Sequence, residues 1–240
     1  MAKKRTKLPE QKKVLIWMIA FAVITIVIWQ IPYGMLVLYP FTILSTWFHE
    51  MAHGITALIL GGSFHQLEIY SNGSGLAIWS GQLFGGNAGK AIVAAAGPLG
   101  PTIAGFLLIY LSTHEKFVKK TLYAFSIILF VSVIYWIRSV YGIPVILFFA
   151  VIIFFAAHKM KLKNQKLLLL FIGIQSYLSL YLSIGYLMSQ EAYIDNEFHI
   201  SDTGVIAQNL FFPYWIWGGI IIFISIFAFI QSINFINRKK

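Results

Sequence analysis

Residues 45–60, STWFHEMAHGITALIL, place two histidines and a glutamate within five positions of an otherwise apolar stretch. Four residues advance a helix by slightly more than one turn, so His49 and His53 project from one face with Glu50 beside them. Two imidazoles at this spacing can each give a nitrogen to zinc, and the adjacent carboxylate can take a proton from water that attacks a carbonyl. The H-E-x-x-H pattern therefore predicts metal-assisted hydrolysis.

Chance alone does not explain this cluster. In a shuffled chain of this composition the pattern would arise with a chance on the order of 0.004. Glu50 is also the only formally charged residue between Pro32 and Gly61, and an acid at bilayer depth costs roughly 2.5 to 3.5 kcal/mol on insertion scales. The alternatives are a polar contact that holds helices together and a proton relay.

The third ligand of a zinc site has to come from elsewhere in the chain. Catalytic zinc usually takes three protein ligands and leaves one position for water, and the chain contains no cysteine. Asp202 precedes TGVIAQNLFFP, an apolar stretch that could begin a helix, although Ser201 and Asp202 are also ordinary helix-start residues. Spacing favours Asp202 and leaves four alternatives open, namely Asp195, His199, Glu191 and Glu197.

The elements that must position these side chains are those of a membrane protein. Of the 240 residues, 59% are hydrophobic and 11% are charged, and the mean hydropathy of +0.79 lies outside the range of soluble globular domains. The chain therefore predicts an all-α polytopic membrane protein, with six or seven transmembrane helices in one membrane-embedded domain over residues 1–240. Apolar runs of about 20 residues, the length that crosses a bilayer, lie near 14–31, 34–60, 90–111, 120–137, 142–157, 166–188 and 213–236.

Basic residues cluster in segments 1–13, 158–166 and 237–240. The positive-inside rule places these segments, including the basic N-terminal segment 1–13, in the cytoplasm. Because both termini then lie on one side, we expect six full crossings, or seven helices of which one is re-entrant. The net charge of +10 is explained by these clusters and by anionic lipid headgroups, so we expect the lipid bilayer and no nucleic acid as a partner.

A polar interruption follows the predicted metal-binding helix. Residues 64–80 alternate apolar and polar residues around SNGSG, which predicts a β-hairpin with a glycine-rich turn. The next helix opens with GGNAGKAIVAAAGPLGPTIAG, in which small residues allow helix backbones to approach closely in lipid. Taken alone, these glycines indicate ordinary helix packing.

Four of these segments together resemble the site-2 protease-like zinc metalloproteases, in particular their compact bacterial branch. The segments are FHEMAHGITALILGG, the hairpin, AAAGPLGPTIAG and SDTGVIAQNLFFPYWIW, and the similarity runs from about residue 40 to 225. In that family two histidines and a distant aspartate bind zinc, and the glutamate activates water. The resemblance thus implies His49, His53 and Asp202 as zinc ligands and Glu50 as the catalytic base.

The resemblance also implies an activity and a location. It implies an intramembrane zinc metalloendopeptidase in the cell membrane, which cleaves membrane-protein substrates such as a single-span segment. Asp202 stands between Ser201 and Thr203, whereas better-known members carry an Asn-Pro-Asp-Gly type element. The spans leave no room for the PDZ or CBS domain that some members attach, so we expect the membrane core to select substrates, with hairpin 64–80 adding a strand to an unwound segment.

Two other functions are compatible with the same residues. A metal-ion transporter could use the His/Glu cluster as a transit site, but it should also show polar residues staggered through other spans and inverted repeats. The sequence shows neither feature. A catalytically inactive relative that binds membrane helices would retain the chemical residues themselves.

Overall fold

The computed structural model describes residues 10–195 and 197–238, so most of the basic segment 1–13 lies outside the described residues. The helices are α1 (Glu10–Gln30), α2 (Gly34–Ile59), α3 (Asn87–Ser112), α4 (Glu115–Tyr135), α5 (Gly142–Lys159), α6 (Leu162–Leu182), α7 (Ile184–Leu187), α8 (Asp202–Asn209) and α9 (Tyr214–Arg238). The strands are β1 (Ser63–Ile69), β2 (Gly75–Ser80), β3 (Glu191–Ile194) and β4 (Glu197–Ile200).

Six of the described helices have the length and apolar composition to cross a membrane, namely α1, α3, α4, α5, α6 and α9. The helix α2 has 26 residues, as many as α3, but it is not among these six because polar side chains lower its hydropathy. These polar side chains include His49, Glu50 and His53. The expected all-α polytopic membrane fold with six or seven long helices is confirmed.

Helix α5 shows how these helices divide their surface between protein and lipid. Its sequence GIPVILFFAVIIFFAAHK has no polar face until its last turn. Ile146 and Ile153 are buried in the bundle, whereas Phe148 and Phe155 are more than half exposed. A helix that is apolar all round suits this situation, because both protein and hydrocarbon accept apolar side chains.

Helix α3 lies at the centre of the bundle and packs against α2, α6, α8 and α9. A Cβ atom at Gly100 would lie 2.6 Å from the Cβ of Ala52 on α2. A Cβ atom at Gly105 would lie 2.8 Å from the carbonyl oxygen of Gly173 on α6. The small residues of α3 therefore allow the close helix approach that the sequence indicated.

The hairpin predicted at 64–80 is present as the antiparallel pair β1–β2, with Ser63 opposite Ser80. The outer edge of β1 is covered by the connection between α4 and α5. There the Leu67 N–H donates to the Trp136 carbonyl at 2.8 Å, and the Arg138 N–H donates to the Leu67 carbonyl at 3.0 Å. In the described part of the chain no further strand pairs with β2, and the Ala77 N–H of β2 instead donates to the Glu50 carboxylate.

A second hairpin, β3–β4, was not predicted from the sequence. Glu191 pairs with Ile200 and Ile194 pairs with Glu197. Between the strands, Asp195 has a φ of 50°, a left-handed conformation that suits a tight turn and that Asp tolerates. The sequence feature that could have indicated this hairpin is the Asp-Asn pair between two four-residue runs, EAYI and EFHI.

The two hairpins lie close to each other. Tyr70, just after β1, donates a hydrogen bond to Glu68 Oε2 at 2.7 Å. Burial raises the pKa of the Tyr70 phenol, and the negative charges of Glu68, Asp195 and Glu197 raise it further. Because Asp195 and Glu197 belong to the second hairpin, this electrostatic effect indicates that the hairpins are neighbours.

Candidate active site

Helix α2 presents its polar cluster toward the protein interior. The imidazole rings of His49 and His53 lie 4.8 Å apart between centroids, as expected for side chains one turn apart on the same face. Glu50 is 6% exposed and His53 is 8% exposed. These residues therefore face a protein site and not lipid.

Asp202 reaches this cluster from the start of α8. The Ser201 hydroxyl caps the helix by accepting a hydrogen bond from the Gly204 N–H at 3.0 Å. Asp202 Oδ2 then lies 3.0 Å from His49 Nε2, and Oδ1 lies 3.2 Å from His53 Nε2. Helices α2 and α8 thus bring together two histidines and an aspartate that are far apart in sequence.

These three side chains could hold a metal ion, because one ligand atom from each lies within 4.8 Å of the others. Tetrahedral zinc with bonds of about 2.0 to 2.1 Å separates its ligand atoms by about 3.3 to 3.4 Å. The observed nitrogen–oxygen distances of 3.0 and 3.2 Å are similar and involve the two different oxygens of Asp202. Asp202 Oδ2 is buried, and although His49 Nε2 lies 3.0 Å away, the two atoms do not have the geometry of a hydrogen bond. A cation would satisfy this oxygen, so the donor set fits a metal.

A contact with α3 orients His53 for metal binding. Its Nδ1 lies 2.7 Å from the Val93 carbonyl oxygen. Because a carbonyl can only accept, Nδ1 carries a proton, and Nε2 is the atom left facing Asp202. A hydrogen bond from the second ring nitrogen to a carbonyl is the usual support of a metal-binding histidine.

Gly97 on α3 makes room for both imidazoles. A Cβ atom at this position would lie 2.1 Å from His53 Nε2 and 2.7 Å from His49 Nε2. No larger residue fits here without displacing the histidines. The sequence identified this glycine only as a helix-packing residue.

Glu50 lies beside the start of β2. A Cβ atom at Gly75 would lie 3.0 Å from Glu50 Oε1 and 2.5 Å from Thr46 Cγ2. The Thr46 hydroxyl donates to the Gly73 carbonyl at 2.5 Å, which ties the hairpin turn to α2. The first hairpin therefore runs close to the carboxylate.

Two cavities meet at Glu50. A cleft of about 450 Å³ contains Glu50, His49, Tyr186 and the β3 strand. A smaller cavity of about 180 Å³ contains Glu50 together with Asp202 and Lys90. An extended segment in the cleft would pass between the first residues of β2 and the strand β3, beside the Glu50 carboxylate.

The other residues considered as third ligand belong to the second hairpin. Asp195, Glu191, Glu197 and His199 lie on β3, on β4 or in the turn between them. Within residues 10–195 and 197–238, only His49, His53 and Asp202 come together as a group of three possible metal ligands. His199 lines the smaller cavity without joining this group.

A sequence profile described as peptidase M50B-like matches residues 14–232, from α1 into α9. The chain belongs to the peptidase M50B-like family. The matched region includes the HEMAH segment of α2 and Asp202 of α8. Membership of the peptidase M50B-like family confirms the resemblance to site-2 protease-like peptidases, and together with the six apolar helices it identifies a multi-pass membrane protein of a protease family. Neither the curated proteins nor the solved structures include a significant match.

Proposed function

We propose that this protein is an intramembrane zinc metalloendopeptidase that hydrolyses peptide bonds of membrane-protein substrates. In this proposal His49, His53 and Asp202 bind the zinc ion and Glu50 is the general base. The observation that carries the proposal is the convergence of these three ligand atoms beside a buried carboxylate in a cleft. The peptidase M50B-like family membership supports the same reaction class.

When bound at this site, zinc supplies a Lewis acid that polarises the scissile carbonyl and makes water acidic enough to be activated at neutral pH. Glu50 accepts a proton from the attacking water as the water oxygen bonds to the carbonyl carbon. Glu50 then gives this proton to the amide nitrogen as the C–N bond breaks. One residue thus serves as base and then as acid, and its position inside the cleft keeps it close to both atoms.

Substrate binding follows from the edge of β2, with which no other described strand pairs. Gly75, Leu76 and Ala77 of this strand line the smaller cavity beside Glu50. A transmembrane helix cannot be cut while its peptide bonds are held inside the helix, so the substrate has to unwind locally. An extended substrate segment would add to the edge of β2, satisfying its main-chain groups and passing Glu50 as it does so.

The donor set favours a protease over a metal-ion transporter. The described residues contain one such group of possible metal ligands, whereas a transit path needs further polar sites along other helices. The cleft of about 450 Å³ also has the volume of a ligand-binding pocket.

The proposal is tested with defined single-span peptides. Purified wild type and Glu50→Gln are loaded with zinc and reconstituted in liposomes with a panel of synthetic single-span peptides of different sequence, and new termini are detected by mass spectrometry. We expect cleavage by the wild type, its loss after chelation and its return when zinc is added back. Glu50→Gln should retain zinc and cleave at least about 10²-fold more slowly, the usual contribution of a general base.

Two results would count against the proposal. One is a zinc-loaded wild type that cleaves no peptide of the panel. The other is the same set of fragments from wild type and Glu50→Gln, because this would assign the cleavage to a contaminating protease.

A further inference from the structure

We propose that Tyr186 is a catalytic residue, which donates a hydrogen bond to the scissile carbonyl oxygen as that oxygen gains negative charge. This inference rests on the proposed peptidase function and assigns a new residue to it. Tyr186 lies on α7, the one-turn helix between α6 and the second hairpin.

Tyr186 lies where the two cavities meet. Five described residues line both the larger cleft and the smaller cavity, namely His49, Glu50, Gly75, Tyr186 and Ile194. Of these, Tyr186 is the only one with a hydroxyl group. Its ring lies 6.3 Å from the ring of His49 in an edge-on arrangement, so it is held next to the proposed metal ligands.

The Tyr186 hydroxyl is fixed in place as an acceptor. The Asp202 N–H donates to Tyr186 Oη at 3.0 Å, which orients the phenol without using its proton. Apart from the Asp202 carboxylate beside it, which would bind the metal ion in the proposed site, the Tyr186 proton has no acceptor among the described residues. By contrast, the Tyr70 and Tyr39 hydroxyls donate to protein oxygens.

A hydroxyl donor at this point suits the chemistry of peptide hydrolysis. When water adds to the carbonyl carbon, the π electron pair moves onto the carbonyl oxygen while one water proton goes to Glu50. The carbonyl double bond re-forms when the C–N bond breaks and the amide nitrogen takes the proton from Glu50. A fixed hydroxyl that donates to the negative oxygen between these steps lowers the barrier without any proton transfer of its own.

The test compares Tyr186→Phe with wild type and with Tyr177→Phe. Phenylalanine keeps the ring of Tyr186 and removes only its hydroxyl. Tyr177 is a matched control, because its hydroxyl pairs with Ser232 in the bundle and lines neither cavity at Glu50. Three quantities are measured: zinc content, kcat and KM for a peptide cleaved by the wild type, and the affinity for a phosphinate analogue of that peptide, whose tetrahedral oxygens imitate the charged intermediate.

We expect Tyr186→Phe to keep its zinc and its KM while kcat falls about 10²- to 10³-fold, the usual effect of removing one such donor. The phosphinate should bind to Tyr186→Phe more weakly than to the wild type by a similar factor, although KM for the substrate is unchanged. Tyr177→Phe should resemble the wild type in all three measurements.

Other outcomes overturn the inference. Loss of zinc in Tyr186→Phe, in proportion to the loss of activity, would make Tyr186 a positioning residue for Asp202. An unchanged kcat with zinc retained would show that its hydroxyl is not used. A zinc-loaded wild type without activity would contradict the proposed function itself, and the catalytic role of Tyr186 with it.

Discussion

Gly97→Ala tests the arrangement of the histidines with a single methyl group. The new Cβ atom would lie 2.1 Å from His53 Nε2, whereas ordinary van der Waals contact begins at 3.4 Å. The imidazole or helix α3 must therefore move by about 1.3 Å. Zinc–nitrogen bonds tolerate about 0.2 Å, so a shift of this size breaks the coordination.

We expect Gly97→Ala to lower zinc affinity about 100-fold or more. Mutation of a residue that supports a metal ligand lowers metal affinity by up to about 100-fold, and this substitution displaces a ligand itself. The substitution should not destabilise helix α3 itself, because alanine has a higher helix propensity than glycine, by about 1 kcal/mol. The assay is competition for zinc against a chromogenic chelator in detergent, with helix content followed by circular dichroism. Loss of helix together with zinc would indicate general misfolding.

Gly105→Ala is the matched control on the same helix. Its Cβ atom would lie 2.8 Å from the Gly173 carbonyl oxygen and 2.9 Å from Tyr177 Cδ2. Gly105→Ala therefore strains the contact between α3 and α6 without displacing the histidines. Tight zinc binding by Gly97→Ala, equal to that of the wild type, would contradict this prediction, as would an equal loss of zinc in Gly105→Ala.

Three further predictions concern the hairpin, the metal and the cap of α8. Gly75→Ala should reduce kcat while zinc is retained, since its Cβ would lie 2.8 Å from Glu50 Cγ and displace the base but not the ligands; zinc content and peptide cleavage measured on one preparation check this. Zinc at about 1,000 times its Kd should stabilise the wild type by ~4 kcal/mol, and a thermal shift that persists in Asp202→Ala would contradict this. Ser201→Ala should lower the free energy of unfolding by about 1 kcal/mol or more, because it removes both the cap of α8 and the hydrogen bond from the Ser201 hydroxyl to the Ser189 carbonyl; the measurement is the midpoint of thermal unfolding of the metal-free protein.

Local patterns predicted the elements whose signal lies within one stretch of sequence. The spacing of His49 and His53 depends only on helix periodicity, and hairpin β1–β2 depends on alternation around a glycine-rich turn. Hairpin β3–β4 was missed because its strands have only four residues each, too few for alternation to stand out. Its presence brings an acidic strand to the cleft beside Glu50.

Long-range contacts could not be predicted in the same way. Spacing left several candidates beside Asp202, and only the family resemblance selected it, because the approach of α8 to α2 depends on the packing of the intervening helices. The role of Gly97 depends on the distance between α2 and α3, and that of Tyr186 on a hydrogen bond to the Asp202 main chain. No pattern within a single helix contains these distances.

The most direct measurement is the metal content of purified protein in detergent, determined by mass spectrometry for wild type, Glu50→Gln, His53→Ala and Asp202→Ala. We expect about one zinc ion per chain in wild type and Glu50→Gln, and little or none in the two ligand variants. A wild type without zinc after incubation with the metal, or Asp202→Ala with a full complement of zinc, would contradict the proposed metal site.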